Sequence, residues 1–69
     1  MMIMESYKER LLIEHKELTE KIVKLKTFIN GSLFPDLDLF EQTDLKDQLN
    51  GMTHYCNALE RRMKRKDLL

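Results

Sequence analysis

The chain of 69 residues has no tryptophan, one cysteine, one proline and two glycines. A lone cysteine cannot form an intramolecular disulfide, and unpaired thiols are typical of the reducing cytoplasm. No apolar run approaches the length of a membrane span, and the apolar start MMIM is far too short for a signal-peptide core. We therefore expect a cytoplasmic protein that has no membrane partner.

The chain also has no excess of charge of either sign, since its 12 basic and 12 acidic residues cancel. A protein dedicated to DNA is usually clearly basic, so nucleic acid is not an expected partner. The charges are nevertheless segregated along the chain. Residues 36–47 carry five acids and one lysine, whereas residues 60–66 carry five bases and one acid.

Motifs that carry catalysis are missing as well. The sequence has no nameable nucleophile–base arrangement and no glycine-rich loop that would cradle a phosphate, which predicts a protein that is not an enzyme and uses no cofactor. His15, His54 and Cys56 show none of the paired spacings of metal ligands, such as H-x-x-x-H or C-x-x-C. We expect His15 and Cys56 to be ordinary seam residues and no metal to be bound.

Two long amphipathic segments are present. The first predicts a helix over about 5–30, with Ser6 and Glu9 as a capping box and Asn30-Gly31 as a stop, because glycine tolerates the left-handed conformation that ends helices. Residues 31–38, which include Pro35, form the predicted connection. The second helix is predicted over about 39–66, with Asp38 and Thr43 as alternative N-caps.

The spacing of apolar residues predicts the fold. Each helix presents a seam in steps of four and three: Leu11, His15, Leu18, Ile22, Leu25 and Ile29 on the first; Leu45, Leu49, Met52, Cys56, Leu59 and Met63 on the second. When the helices are packed antiparallel, each seam residue of the first helix lies opposite one of the second, from Leu11 opposite Met63 to Ile29 opposite Leu45. The prediction is an all-α, antiparallel two-helix hairpin that forms a single domain over 1–69.

Apolar residues off the seam exceed what two helices can cover, and a chain this short buries little core alone. We therefore expect the hairpins to assemble into a homo-oligomeric helical bundle. The predicted interface residues are Leu12, Val23, Phe28, Phe40, Gln48, Gly51, Met52 and Tyr55.

The basic end of the second helix is the remaining candidate site. Antiparallel packing would place it beside the start of the first helix, where tyrosine can stack on a base and arginine can bind phosphate in a bidentate manner. A solvated helix end, neutralised by the helix dipole, is the alternative. The candidate ligand-binding residues are Tyr7, Lys8, Arg10, Tyr55, Arg61, Arg62 and Arg65.

The pattern YKERL…EHKEL…KLKTFI…F…L…QLNGMTHYCNALERRM resembles a family of very small helical-hairpin proteins of tailed bacteriophages, including crAss-like phages. Gly51 and the stretch HYC depart from that pattern. The matching residues are Tyr7, Arg10, Leu25, Phe28, Ile29, Phe34, Gln48, Met52, Tyr55, Leu59 and Arg62.

The resemblance implies a phage protein in the host cytoplasm. Most of that family has no assigned activity, but other tiny helical phage proteins form oligomers that sequester cyclic nucleotide signals of bacterial immunity. By this likeness the partner would be a cyclic oligonucleotide or an ADP-ribose-type ligand, held by aromatic rings and cations. The alternative is an oligomeric module that inhibits or adapts a host protein by binding a helix in an apolar groove.

Overall fold

The chain folds as two long helices joined by a short connection. A computed structural model describes residues 3–68, with side chains from residue 7 onward. Helix α1 spans Ile3–Ile29, a 3₁₀ turn spans Phe34–Asp36, and helix α2 spans Leu39–Arg65. The two helices pack against each other, and the described residues contain no strand. The predicted all-α hairpin is thus confirmed.

The buried core cluster is drawn from the predicted seam, but seam residues near the connection, such as Leu25 and Leu49, are half-buried and lie outside it. The half-buried side chains of Ile22 and Met52 pack against this cluster. The cluster consists of five buried residues: Leu11, Leu18, Cys56, Leu59 and Met63. Leu59 is 0% exposed, so it is the centre of the contact. Burial of one leucine or methionine side chain contributes about 1.5–3 kcal/mol, so a core this size supplies modest stability.

The connection is held by its own contacts. Phe34 is buried, and the side-chain amide of Gln42 donates hydrogen bonds to the carbonyl oxygens of Phe34 and Leu37, at 3.2 and 2.9 Å. The Lys46 ammonium lies 5.7 Å from the centre of the Phe34 ring. Phe34 therefore plugs the closed end of the hairpin, a role that the sequence pattern did not reveal.

Two details at the ends of α1 differ from the predictions. The helix begins at Ile3, so Ser6 lies inside it and the predicted cap there is wrong; the Ser6 side chain lies outside the described residues. Gly31 does not have positive φ, so the left-handed stop was also wrong. A Cβ at Gly31 would lie 3.3 Å from the carbonyl oxygens of Thr27 and Phe28, so tight approach explains this glycine better.

The first turn of α2 is capped by Asp38 and not by its alternative. The Asp38 carboxylate accepts a hydrogen bond from the backbone N–H of Glu41 at 2.8 Å, while Thr43 lies inside the helix. This bond satisfies one of the free amide groups that every helix start exposes.

The last turn of α2 ends in a Schellman motif. Asp67 has a φ of 60°, and the backbone N–H groups of Asp67 and Leu68 donate to the carbonyl oxygens of Lys64 and Met63. Leu68 then packs against the core cluster that contains Met63. The left-handed residue is usually glycine, so Asp67 occupies this position at an energetic cost.

The hairpin is elongated, with dimensions of 51 × 17 × 15 Å and a radius of gyration of 15.5 Å. A compact chain of this length would have a radius of gyration of roughly 11 Å. The long shape leaves many large apolar side chains exposed: Leu12, Ile13, Val23, Phe28, Leu33, Leu39, Phe40 and Tyr55.

We expect Asp38→Ala to lower the free energy of unfolding by about 1 kcal/mol, because the Glu41 amide loses its acceptor. Urea denaturation at one fixed protein concentration measures the change. Asp38→Asn keeps an acceptor and should lie close to wild type, and Asp36→Ala removes a nearby exposed acid as the control. An Asp38→Ala variant no less stable than Asp36→Ala would contradict the cap.

We expect Asp67→Gly to raise the free energy of unfolding by about 0.5–1 kcal/mol, because glycine adopts positive φ without steric cost. Thermal unfolding at fixed concentration is the measurement. Asp67→Ala removes the same charge from the negative helix end but keeps a Cβ, so the difference between the two variants isolates the backbone contribution. Equal stability of the two would rule out the Schellman explanation.

Candidate functional site

The open end of the hairpin brings Tyr7 of α1 beside the cationic last turns of α2. Arg62 donates a hydrogen bond to the Tyr7 hydroxyl, and its guanidinium carbon lies 5.6 Å from the ring centre. The Lys66 ammonium lies 5.3 Å from the same ring centre. Two cations at these distances attract the negative face of the ring, so Tyr7 is held in place by both.

A pocket of about 290 Å³ lies at this end, lined by Tyr7, Arg10, Leu11, Glu14 and Arg62. Leu11 supplies an apolar wall, and Tyr7 supplies a ring and a hydroxyl. Two guanidinium groups face one carboxylate, so the lining carries net positive charge. Such a mixture suits a small ligand that has both an anionic group and a flat apolar part.

The positive charge around the pocket affects the pKa of the Tyr7 phenol. The hydrogen bond from Arg62 lowers the pKa of Tyr7 below its ordinary value, against the smaller opposing effect of burial. The positive charges of Arg62, Lys66 and Arg65 lower this pKa further. The same potential that favours a phenolate favours any other anion placed beside the ring.

The structure brings together three of the predicted ligand-binding residues, since Tyr7, Arg10 and Arg62 all line the pocket. Arg65 is exposed but close enough to act on Tyr7 through its charge. Lys8 is half-buried and Arg61 is exposed, and neither lines the pocket.

Tyr55 lies apart from the others. It stands seven residues before Arg62 on α2, which corresponds to about 10 Å along the helix axis. It is 46% exposed and does not line the pocket of its own chain.

The sequence pattern did not single out Glu14, which lines the pocket, or Lys66, which lies over the Tyr7 ring. Glu14 follows Tyr7 and Leu11 at helical spacing and therefore shares their face, but an acidic side chain is not expected in a site for phosphate. Lys66 lies one turn beyond Arg62, which places it over the same ring. Helical spacing alone could therefore have identified both Glu14 and Lys66.

Most predicted interface residues are exposed on the hairpin: Leu12, Val23, Phe28, Phe40, Gln48, Gly51 and Tyr55. Met52 differs, because it is half-buried and packs against the core cluster of its own chain. A Cβ added at Gly51 would meet no heavy atom within 4 Å, so nothing within the hairpin requires a glycine there.

A second group of polar side chains in mutual contact lies in the seam. His15 Nε2 is 2.9 Å from Glu60 Oε2, and Cys56 Sγ is 3.5 Å from the same oxygen. Burial, followed by the neighbouring Glu60, raises the pKa of the Cys56 thiol. The hydrogen bonds from His15 and then from Cys56 lower the pKa of the Glu60 carboxyl.

Glu60 was missed as a partner in this group because it was counted only as one charge in the basic segment. On α2 it lies four residues after Cys56, and its carboxylate contacts both the Cys56 thiol and the His15 imidazole of α1. We refer to these three residues as the seam triad.

Neither helix in residues 3–68 combines the length and the hydropathy that crossing a bilayer requires.

A comparison with protein families gives one match, to a family described as Sequestin, over residues 5–65. No curated protein and no solved structure matches the chain. The family name indicates a small protein that sequesters a target, which fits the phage-type sequestering proteins that the sequence resembles; the crAss-like relationship stays a prediction. Since the match extends from the first turn of α1 to the last residue of α2, the chain belongs to the Sequestin family.

Proposed function

We propose that this protein is a non-enzymatic phage protein that sequesters a phosphate-bearing nucleotide signal of bacterial antiphage immunity. The observation that carries the proposal is the pocket of Tyr7, Arg10 and Arg62, found in a chain of a sequestering family. The ligand would be a cyclic oligonucleotide or an ADP-ribose derivative.

The charges of the pocket support a phosphate group. Arginine binds phosphate oxygens through two parallel hydrogen bonds, and Arg10 and Arg62 come from different helices, so they can approach one phosphate from two sides. Lys66 and Arg65 add positive potential nearby, while Glu14 opposes it. Glu14 is also a hydrogen-bond acceptor, which suits a ribose hydroxyl or a base amino group.

The Tyr7 ring is the stacking surface for a base. Arg62 and Lys66 already lie over this ring, so an incoming base would take the place of one of them. The displaced cation would then be free to pair with phosphate. Ligand binding would thus exchange a contact within the chain for two contacts with the nucleotide.

The size of the pocket supports assembly. Its 290 Å³ lies just below the range of about 300–1,000 Å³ that is usual for small-molecule sites. A cyclic dinucleotide has two phosphates and two bases and is larger than this space. Two pockets placed face to face, or one pocket closed by Tyr55 of a second copy, would enclose such a ligand.

The exposed apolar residues support assembly independently. Leu12, Thr19 and Val23 follow helical spacing and form one stripe beside the core face of α1. Leu12 and Val23 are 43% and 56% exposed. A shallow groove lined by Thr19, Glu20, Val23 and Lys24 lies on this stripe, and a helix of a second copy could pack there.

The alternative function is an oligomeric module that binds a host protein. It is favoured by the closed end of the hairpin, where Leu33, Leu39 and Phe40 are 64%, 76% and 85% exposed. These residues lie at the opposite end from the pocket. An amphipathic helix of a host protein could cover them.

Binding is tested by calorimetry of the full chain against a panel of cyclic dinucleotides, cyclic trinucleotides and ADP-ribose derivatives. We expect at least one to bind and to be recovered chemically unchanged. Arg62→Ala or Arg10→Ala should weaken it by about 10–150-fold, because a charge-assisted hydrogen bond contributes about 1.5–3 kcal/mol. Arg61→Ala is the matched control, since Arg61 is exposed outside the pocket.

Two outcomes would overturn the nucleotide proposal. In one, no member of the panel binds; in the other, Arg61→Ala weakens binding as much as Arg62→Ala does. Capture of a discrete host protein by a chain that binds no nucleotide would favour the alternative function.

Assembly is tested by sedimentation equilibrium at micromolar concentration, where we expect a homo-oligomer. Val23→Lys should shift the chain toward monomer without loss of helical circular dichroism, because Val23 contributes nothing to the buried core. Glu17→Lys places a lysine at another exposed position of α1, with a charge change of two instead of one, and should leave the mass of the assembly unchanged. A wild-type chain that is monomeric throughout would refute the assembly.

A further inference from the structure

The seam triad is unusual because three different metal-ligating side chains meet at one point of the helix interface. The imidazole nitrogen of His15, the sulfur of Cys56 and a carboxylate oxygen of Glu60 all lie within 4.8 Å of one another. Cys56 is buried, while the side chains of His15 and Glu60 are 22% and 43% exposed. The group is therefore open to an ion from solvent on one side and walled by the core on the other.

The separations lie near those that a small tetrahedral cation requires. Zinc binds sulfur at about 2.3 Å and imidazole nitrogen or carboxylate oxygen at about 2.0–2.2 Å, so tetrahedral donors lie roughly 3.3–3.7 Å apart. The seam triad shows 2.9 Å between nitrogen and oxygen and 3.5 Å between sulfur and oxygen. Side-chain movements of about 1 Å would bring all three donors to bonding distance.

In the metal-free seam triad, hydrogen bonds join the three donor atoms that a cation would bind. With its ring proton on Nε2, His15 donates to Glu60 Oε2, and the Cys56 thiol donates to the same oxygen. For Nε2 to bind a metal, the His15 proton would move from Nε2 to Nδ1 by exchange with solvent, and Cys56 would release its proton to solvent. One thiolate and one carboxylate then neutralise a divalent ion, and the imidazole stays neutral.

We propose that His15, Cys56 and Glu60 form a zinc site that links α1 to α2. Thiolate and imidazole ligands select zinc over magnesium and calcium, which prefer sites made of oxygen alone. Three protein ligands leave the fourth position to water. The ion would pin the two helices in register, a role that neither the family name nor the nucleotide pocket supplies.

This inference departs from the expectation that no metal is bound, which rested on spacing within one segment. Cys56 and Glu60 are one turn apart on α2, and the third ligand comes from α1, 41 positions before Cys56. Only the antiparallel register places that ligand. A search for paired histidines or cysteines along the chain cannot find such a site.

The test uses the untagged full chain and Co²⁺ or Zn²⁺ alone. Titration with Co²⁺ should produce a thiolate-to-cobalt charge-transfer band and the intense visible bands of tetrahedral cobalt, and equimolar Zn²⁺ should abolish both. Zn²⁺ should also raise the Tm of the wild-type chain. Cys56→Ser should lose the charge-transfer band and the Zn²⁺-dependent rise in Tm.

His54→Gln is the matched control, because His54 is exposed and does not belong to the seam triad. It should retain both signals. Glu60→Gln, which preserves side-chain shape, should lose the Zn²⁺-dependent rise and covers the case in which Cys56→Ser fails to fold. Circular dichroism of each variant verifies its helices.

The proposal is overturned if the wild-type chain shows no charge-transfer band, or if Cys56→Ser and Glu60→Gln respond to Zn²⁺ as the wild type does. Loss of the response in His54→Gln would overturn it too, because the metal would then bind elsewhere. No nucleotide is present in these measurements, so their outcome is independent of the nucleotide proposal.

Discussion

The seam between the two helices is the constraint on which the other features depend. Each helix can turn only one stripe of side chains toward its partner, and Leu11, Leu59 and Met63 take up the most buried positions. Once these residues are in contact, the register of the whole hairpin is set. Tyr7 must then meet the last turns of α2, and His15 must meet Glu60. Both candidate sites are consequences of one packing arrangement.

The fold could be predicted from the sequence because packed helices require apolar residues at regular spacing. Apolar residues in steps of four and three defined both helices, and matching the two seams gave the antiparallel pairing. The Asp38 cap was identified as one of two alternatives. Phe34 was harder to interpret, because a single aromatic residue in a loop gives no period from which burial can be read.

The candidate pocket was only partly accessible, for a different reason. Register determines which turns face each other, and this was enough to place Tyr7, Arg10 and Arg62 together. It does not determine how far a long side chain reaches, so Lys66 was left out and Lys8 was included. Glu14 was overlooked because residues were selected by positive charge, although helical spacing placed it beside Leu11. The Cys56–Glu60 contact was missed because Glu60 was counted only as a charge of the basic segment, although it lies one turn after Cys56.

Self-association lies beyond what a single-chain pattern can determine. Exposure of Leu12 and Val23 identifies surplus apolar surface, but two copies can pair such surfaces in several registers. The same limit applies to Gly51, whose open surroundings are compatible with a close neighbour but do not specify one.

The position of the pocket at the open end of the hairpin has a kinetic consequence. Its walls come from residues 7–14 of α1 and residue 62 of α2, which lie near the free ends of the two helices. Helix ends open locally far more often than a protein unfolds globally. A ligand held between the two ends would therefore escape by fraying of the last turns, while the plug at Phe34 stays closed. The residence time of such a ligand would increase with the stability of those turns. The Schellman motif at Asp67, which stabilises the end of α2, would therefore slow ligand release.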